Sequence, residues 1–191
     1  VHTGGTGAIA GFFAAMFISR LDPRVGMTLG YLIQAASGVY MSNFDVNTTI
    51  ADVAINSALQ GLAVGIIWVP LTVATFRTLD PRYLAEGSAI YHLLRNLGSS
   101  VFISLSVTLV IVSTAVNYAG MSEFISDYNK ALSLPWLLGA WNTGSATGLA
   151  ALSGEIGRQA ALIGYINAFK AYTIASLAVL PLIAIVRIPR N

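Results

Sequence analysis

Residues 97–116, "LGSSVFISLSVTLVIVSTAV", contain no charged side chain. A helix needs about 20 mostly apolar residues, at about 1.5 Å each, to cross the hydrocarbon core of a bilayer. A soluble domain would have to bury such a helix on all sides, and this chain lacks the polar surface to do it. Only 9% of its residues are charged, against about a quarter in an ordinary soluble protein. Four more apolar stretches follow the same pattern, at residues 5–19, 25–44, 53–76 and 165–186. The first is Gly/Ala-rich and short of the ~20 residues a span requires, so it reads as truncated. The expected fold is therefore all-α: a polytopic transmembrane helical bundle of about four complete spans plus one truncated, forming one unit over residues 1–191.

Several functions are excluded by composition. With no cysteine, the chain has no disulfide, thiol chemistry or Cys-ligated metal. Its net charge is +2 and its basic residues are scattered singly, whereas a nucleic-acid footprint needs them clustered on one face. The opening "VHTGGTGAIAG" has no basic segment before its first apolar run, so it does not read as a signal peptide. With the short first stretch, this implies a piece of something longer. Neither H-E-x-x-H nor a phosphate-cradling Gly-rich loop occurs, and no span holds a carboxylate pair. No enzyme, cofactor or metal site is expected.

The tetrapeptide LDPR occurs twice, at 21–24 and 79–82, each time between apolar runs. Aspartate accepts hydrogen bonds at a helix start, proline fixes φ and ends helical continuity, and arginine anchors to anionic headgroups. If the chain crosses at each apolar stretch, Arg20, Arg24, Arg77, Arg82, Arg95, Arg187 and Arg190 fall on one side. Lys130, Arg158 and Lys170 fall on the other. Short loops rich in Lys and Arg stay in the cytoplasm, so both LDPR turns are expected there. The acidic connection "SNFDVNTTIAD" is expected outside. The interrupted stretch "LSLPWLLGAWNTGSATGLAAL" reads as an interfacial segment with Trp136 and Trp141 at headgroup level. The segment after it reads as an outward extension of the last helix.

"GLAVGIIWVPLTVATFRTLDPRYLAEGSAIYHLLRNLGSSVFISL" resembles the C-terminal part of major facilitator superfamily transporters, and most of all the fourteen-span drug/proton antiporters of the EmrB/QacA type. Gly61, Gly65 and Pro70, then Gly87, Ser88, Arg95, Leu97, Gly98 and Ser100, carry the likeness. "RLDPR" is similar to the D-R-x-x-R loop of such transporters. Phe102 and Ala63 stand where the group often has glycine. The resemblance implies proton-coupled efflux of drugs or other amphipathic molecules by alternating access. The setting it implies is a multi-pass protein of the bacterial inner membrane with a cytoplasmic C-terminus. It also implies membrane lipid, a small-molecule substrate and the proton as partners, together with the N-terminal half of the same transporter and a periplasmic adaptor. The proton-titrating carboxylates of the group lie in that other half, so no coupling residue is carried over. A non-transport scaffold or helical subunit of a membrane complex is the rival reading.

Candidate site residues follow. Asn96, Ser100, Ser104 and Thr108 recur every four residues, and such a stripe on a membrane helix faces either a water-filled cavity or the bundle interior. Equally, small hydroxyls bond their own helix carbonyls. Asn56 and Gln60 share a helical face and are expected to line the cavity with Trp68, or to bond between helices. Gly61 and Gly65 form a G-x-x-x-G that lets helices approach. Arg95, about two turns from the apolar core of its span, either snorkels or belongs to a gate network. With Asp22, Arg24 and Arg82 it makes the set of cytoplasmic gate candidates. The third and fourth stretches are expected to line the cavity, the second and fifth to be peripheral.

Overall fold

The computed structural model describes residues 7, 9–13, 22–126, 128–130, 132 and 141–185. Expectations for Arg20, Trp136, Arg187 and Arg190 lie outside them. The described residues are helical and contain no strand: α1 (Pro23–Ser42), α2 (Ile50–Phe76), a 3-10 turn (Pro81–Tyr83) leading into α3 (Leu84–Ser122), and α4 (Ala146–Ile185). Residues 9–13 of the first stretch are helical as well. Among the described residues, three helices are long and apolar enough to cross a membrane: α2, α3 with its leading turn, and α4. The 20-residue α1 also carries Arg24, Thr28, Gln34 and Ser37.

Both LDPR copies start helices, and they do so with the same capping bond. Asp22 Oδ1 accepts the Arg24 N–H at 3.1 Å, and Asp80 Oδ1 accepts the Arg82 N–H at 3.1 Å. The Asp22 and Asp80 carbonyls each accept the N–H three residues on, at 2.9 Å. Proline follows as the first helical residue in both, where its missing N–H costs nothing because that position has no helical partner. Asparagine ends α1: Asn43 Nδ2 donates to the Val39 carbonyl at 2.8 Å. The connection to α2 closes on a capping box. Thr49 N–H donates to Asp52 Oδ2 at 2.9 Å, and Asp52 N–H to Thr49 Oγ1 at 3.3 Å. The Tyr40 hydroxyl then ties α1 to α2 through Asp52 Oδ1 at 3.0 Å.

The chain divides into two compact units, Val1–Phe102 with Phe169–Asn191, and Ile103–Ala168. In the first, α1 and α2 pack closely as an antiparallel hairpin. Its seam is built of small residues: Gly30 lies over the Ala63 carbonyl and the Ile67 side chain, and Ala63 is fully buried. Close approach is thus kept at Ala63. On another side of α2, Gly7 and Gly11 lie against the Ala58 and Leu62 backbone. Their four-residue spacing puts both on one helix face, so two backbones touch where a Cβ would collide. Pro70 is buried inside α2 and the helix continues past it to Phe76. The far face of α1 meets the last helix, with Gly38 against Thr173 and Phe44 edge-on to Phe169 at 6.5 Å. Within this unit α1 therefore lies between α2 and α4.

In the second unit, polar contacts join α3 to α4. Asn167 Nδ2 donates to Ser113 Oγ at 2.7 Å, and the Tyr118 and Ser153 hydroxyls are 2.8 Å apart. At the start of α4, Ser145 Oγ accepts the Gly148 N–H at 3.1 Å. The last residues of the segment expected at the interface, from Ala146 on, are the first turns of α4. At 39 and 40 residues, α3 and α4 extend about 60 Å, twice the ~30 Å hydrocarbon core. This accords with apolar spans continued by more polar helical extensions.

Candidate functional site

The polar residues of α2 face two directions. Asn56 is 4% exposed, and its Oδ1 accepts the Ser37 hydroxyl at 2.8 Å. One turn on, Gln60 Nε2 lies 3.5 Å from Met41 Sδ. Both side chains thus point at α1, where they pin the hairpin rather than an open wall. The reason is angular. Twelve residues at 100° each put Trp68 about 120° round the helix from Asn56, toward α3 instead.

Side chains bridge α2 and α3 while their backbones stay apart. Leu79 lies against Gly87. Phe76 meets Tyr91 edge-on at 5.5 Å, and Tyr91 meets His92 at 5.4 Å. Nearer the apolar core, the Arg95 guanidinium carbon sits 4.1 Å from the centroid of the Trp68 ring. A guanidinium stacked on indole gains about 0.5–1 kcal/mol when exposed and about 2 or more when desolvated. That offsets much of the ~2.5–3.5 kcal/mol an arginine costs at the middle of an inserted helix. The contact joins a cavity candidate to a gate candidate. Its signal in the sequence was a tryptophan inside the 53–76 run and an arginine bordering the 97–116 run.

The remaining gate candidates close on their own turns. Asp22 caps α1, with Arg24 supplying the capped N–H. Arg82 Nε pairs with Asp80 at 3.0 Å, both side chains exposed. Exposed ion pairs of this kind contribute about 0–1 kcal/mol, so this one shapes a turn more than it closes a gate. On α3, Asn96, Ser100 and Ser104 are all exposed, and no residue of that helix is buried. Ser99 instead bonds back to the Arg95 carbonyl at 2.7 Å. A further concavity of 230 Å³ lies at the α1–α2 turn, lined in part by Tyr40, Phe44, Asp45 and Asp52. Among the described residues no three potential metal-ligating side chains come together.

These are features of a membrane helix bundle whose polar stripe faces outward from the described helices. The multidrug export protein EmrB of Haemophilus influenzae is 31% identical over 111 residues, covering 58% of this chain and 22% of that protein. The chain is a relative of the EmrB-type export proteins. The fatty acid resistance protein FarB of Neisseria gonorrhoeae is 23% identical over 174 residues, 91% of this chain and 34% of its own length. The probable multidrug resistance protein EmrY of Escherichia coli is 24% identical over 159 residues, 82% and 31%. The chain thus spans about a fifth to a third of these relatives. It is consistent with the C-terminal part of an EmrB-type major facilitator protein. No family model and no solved structure matches it. With its apolar helices, the EmrB-type kinship makes this a multi-pass membrane protein.

Proposed function

We propose that this chain is part of an exporter that moves drugs or other amphipathic small molecules out of the bacterial cell, driven by protons and working by alternating access. The observation that carries the reading is the exposed stripe of Asn96, Ser100 and Ser104 on a helix otherwise apolar enough to span a membrane. Polar side chains at membrane depth are expensive against lipid and are placed toward water-filled cavities or the bundle interior. Kinship to proteins named for multidrug export points to the cavity. In this reading Trp68 and the α3 stripe form part of the cavity wall. Asn56 and Gln60 stand behind it and hold α1 in register. Arg95 lies at the cytoplasmic end, where Asp22, Arg24 and Arg82 shape the inner turns. An N-terminal half supplies the opposite wall and the titrating carboxylates, and a periplasmic adaptor receives the product.

A scaffold without transport accounts for the Ser37–Asn56 and Ser113–Asn167 bonds, which are packing contacts. It gives the outward stripe no role. The two readings separate in inside-out vesicles containing the full-length protein. An exporter accumulates an amphipathic dye on energisation and loses it with an uncoupler. A scaffold gives the signal of empty vesicles.

A further inference from the structure

We propose that Trp68 and Arg95 form a conformational latch. Stacked, they hold α3 against α2 at the end bearing the second LDPR turn; parted, they let α3 tilt away about a pivot at Leu79 and Gly87. The proposal rests on the exporter reading and names the contact that controls one movement of its cavity wall.

Side-chain bridges join the two helices, and on α3 three of them form one row. Gly87, Tyr91 and Arg95 are four residues apart, which puts them on one helix face. Gly87 receives the Leu79 side chain where a Cβ would collide, so the approach is tightest beside the turn. Tyr91 meets Phe76 edge-on at 5.5 Å, and Arg95 closes the row on Trp68 at 4.1 Å. The next residue of the row, Ser99, turns its hydroxyl back to the Arg95 carbonyl at 2.7 Å instead. By contrast, α1 and α2 touch through their backbones, with Gly30 over the Ala63 carbonyl. That contact fixes α1 on α2, whereas the α2–α3 bridges end in side chains that can change rotamer.

Leverage makes the last bridge the one that tilting breaks. Arg95 lies eight residues beyond Gly87, about 12 Å along the axis. A cation–π contact reaches to ~6 Å from the ring centroid, and this one stands at 4.1 Å. At that lever arm a tilt of about 10° uses up the difference. The same tilt moves Tyr91, half-way along, by only about 1 Å. Arg95 also has a second place to rest. Both partners are exposed, so a released guanidinium can snorkel to the headgroups on its long stem. Two resting places for one side chain give the helix pair two discrete arrangements.

The test is a distance between spin labels in the full-length protein in lipid nanodiscs, read by double electron–electron resonance. The labels sit on Val73→Cys in α2 and Leu97→Cys in α3, with any cysteine elsewhere in the protein replaced. Otherwise wild-type protein should show a short and a longer distance, the short one dominant. Arg95→Gln and Trp68→Leu should each raise the ratio of long to short by about two- to thirtyfold, the range from an exposed to a desolvated cation–π pair. Combining them should change the ratio by less than about twofold more, since both remove one contact. Arg95→Lys and Trp68→Phe keep a cation over a ring and should fall between; they keep the test decisive where a harsher variant fails to fold. One unchanged distance in all variants, or shifts that simply add, would overturn the proposal. A second arm links Phe76→Cys to Tyr91→Cys with a short reducible reagent. Linking should stop export and reductant should restore it; export undiminished by the link would also overturn the latch. A distance ratio that responds as expected in a protein that exports nothing would defeat the exporter reading while leaving this inference standing.

Discussion

Replacing Asn56 with alanine should loosen the α1–α2 hairpin by an amount the structure allows to be worked out. Ser37 is 0% exposed and Asn56 4%, with 2.8 Å between their oxygens. Interhelical hydrogen bonds in membranes contribute about 0.6 kcal/mol on average and about 1.7 at most. The modest size has a local cause, since a serine that loses its partner can turn to the carbonyl four residues back. Removing the carboxamide also leaves a void of roughly 25 Å³, which at about 24 cal/mol per Å³ adds about 0.6 kcal/mol. Asn56→Ala should therefore cost about 1.2–2.3 kcal/mol, and Ser37→Ala about 1. The decisive quantity is the coupling between them, measured by SDS-driven unfolding of the full-length protein and the two single and one double variant in mixed micelles. It should lie at about 0.6–1.7 kcal/mol. Coupling below about 0.3 kcal/mol, the ordinary error of additivity, would refute the assignment of this pair as the pin. Loss of export by Asn56→Ala at unchanged stability would return Asn56 to the cavity wall.

Other consequences follow from the same contacts. Gly11→Ala drives a Cβ into the Leu62 backbone, whereas Gly30→Ala meets chiefly the movable Ile67 side chain. The former should lower the midpoint of thermal aggregation in detergent by clearly more than the latter, and the reverse order would contradict the packing. Asp22→Ala and Asp80→Ala each remove one capping bond and should each cost about 1 kcal/mol in the same unfolding assay; a difference of more than about 1 kcal/mol would break the equivalence of the two turns. In this cysteine-free chain, single cysteines at positions 24 and 82 should react from the cytoplasmic side, and those at 45 and 158 from outside. Labelling of 24 and 45 from one side would overturn the topology.

What was legible in the sequence is what depends on local chemistry. Uncharged runs and the aspartate–proline pairs at 22–23 and 80–81 mark where helices run and start, whereas the Thr49–Asp52 capping box starts α2 three residues before its apolar run. Contacts between helices were less accessible. Asn56 and Gln60 share a face whichever way it points, and periodicity cannot say whether a neighbour or water lies opposite. Gly61 and Gly65 form the G-x-x-x-G legible in the sequence, while Gly7 and Gly11 make such a contact from the stretch that reads as truncated. Glycine, serine and threonine crowd the start of α4, yet Ser145 caps a helix that carries them. The Trp68–Arg95 contact needs two helices in register, which no spacing within either one reveals.

In the full-length protein the α3 stripe should face an aqueous, substrate-accessible cavity. Single cysteines placed in turn at 96, 97, 100, 101, 104 and 105 test it, probed with a membrane-impermeant maleimide in sealed inside-out vesicles. Positions 96, 100 and 104 should react, 97, 101 and 105 should resist, and an amphipathic substrate should protect the reactive set. Reaction without that alternation, or a reactive stripe that no amphipathic substrate protects, would contradict the claim.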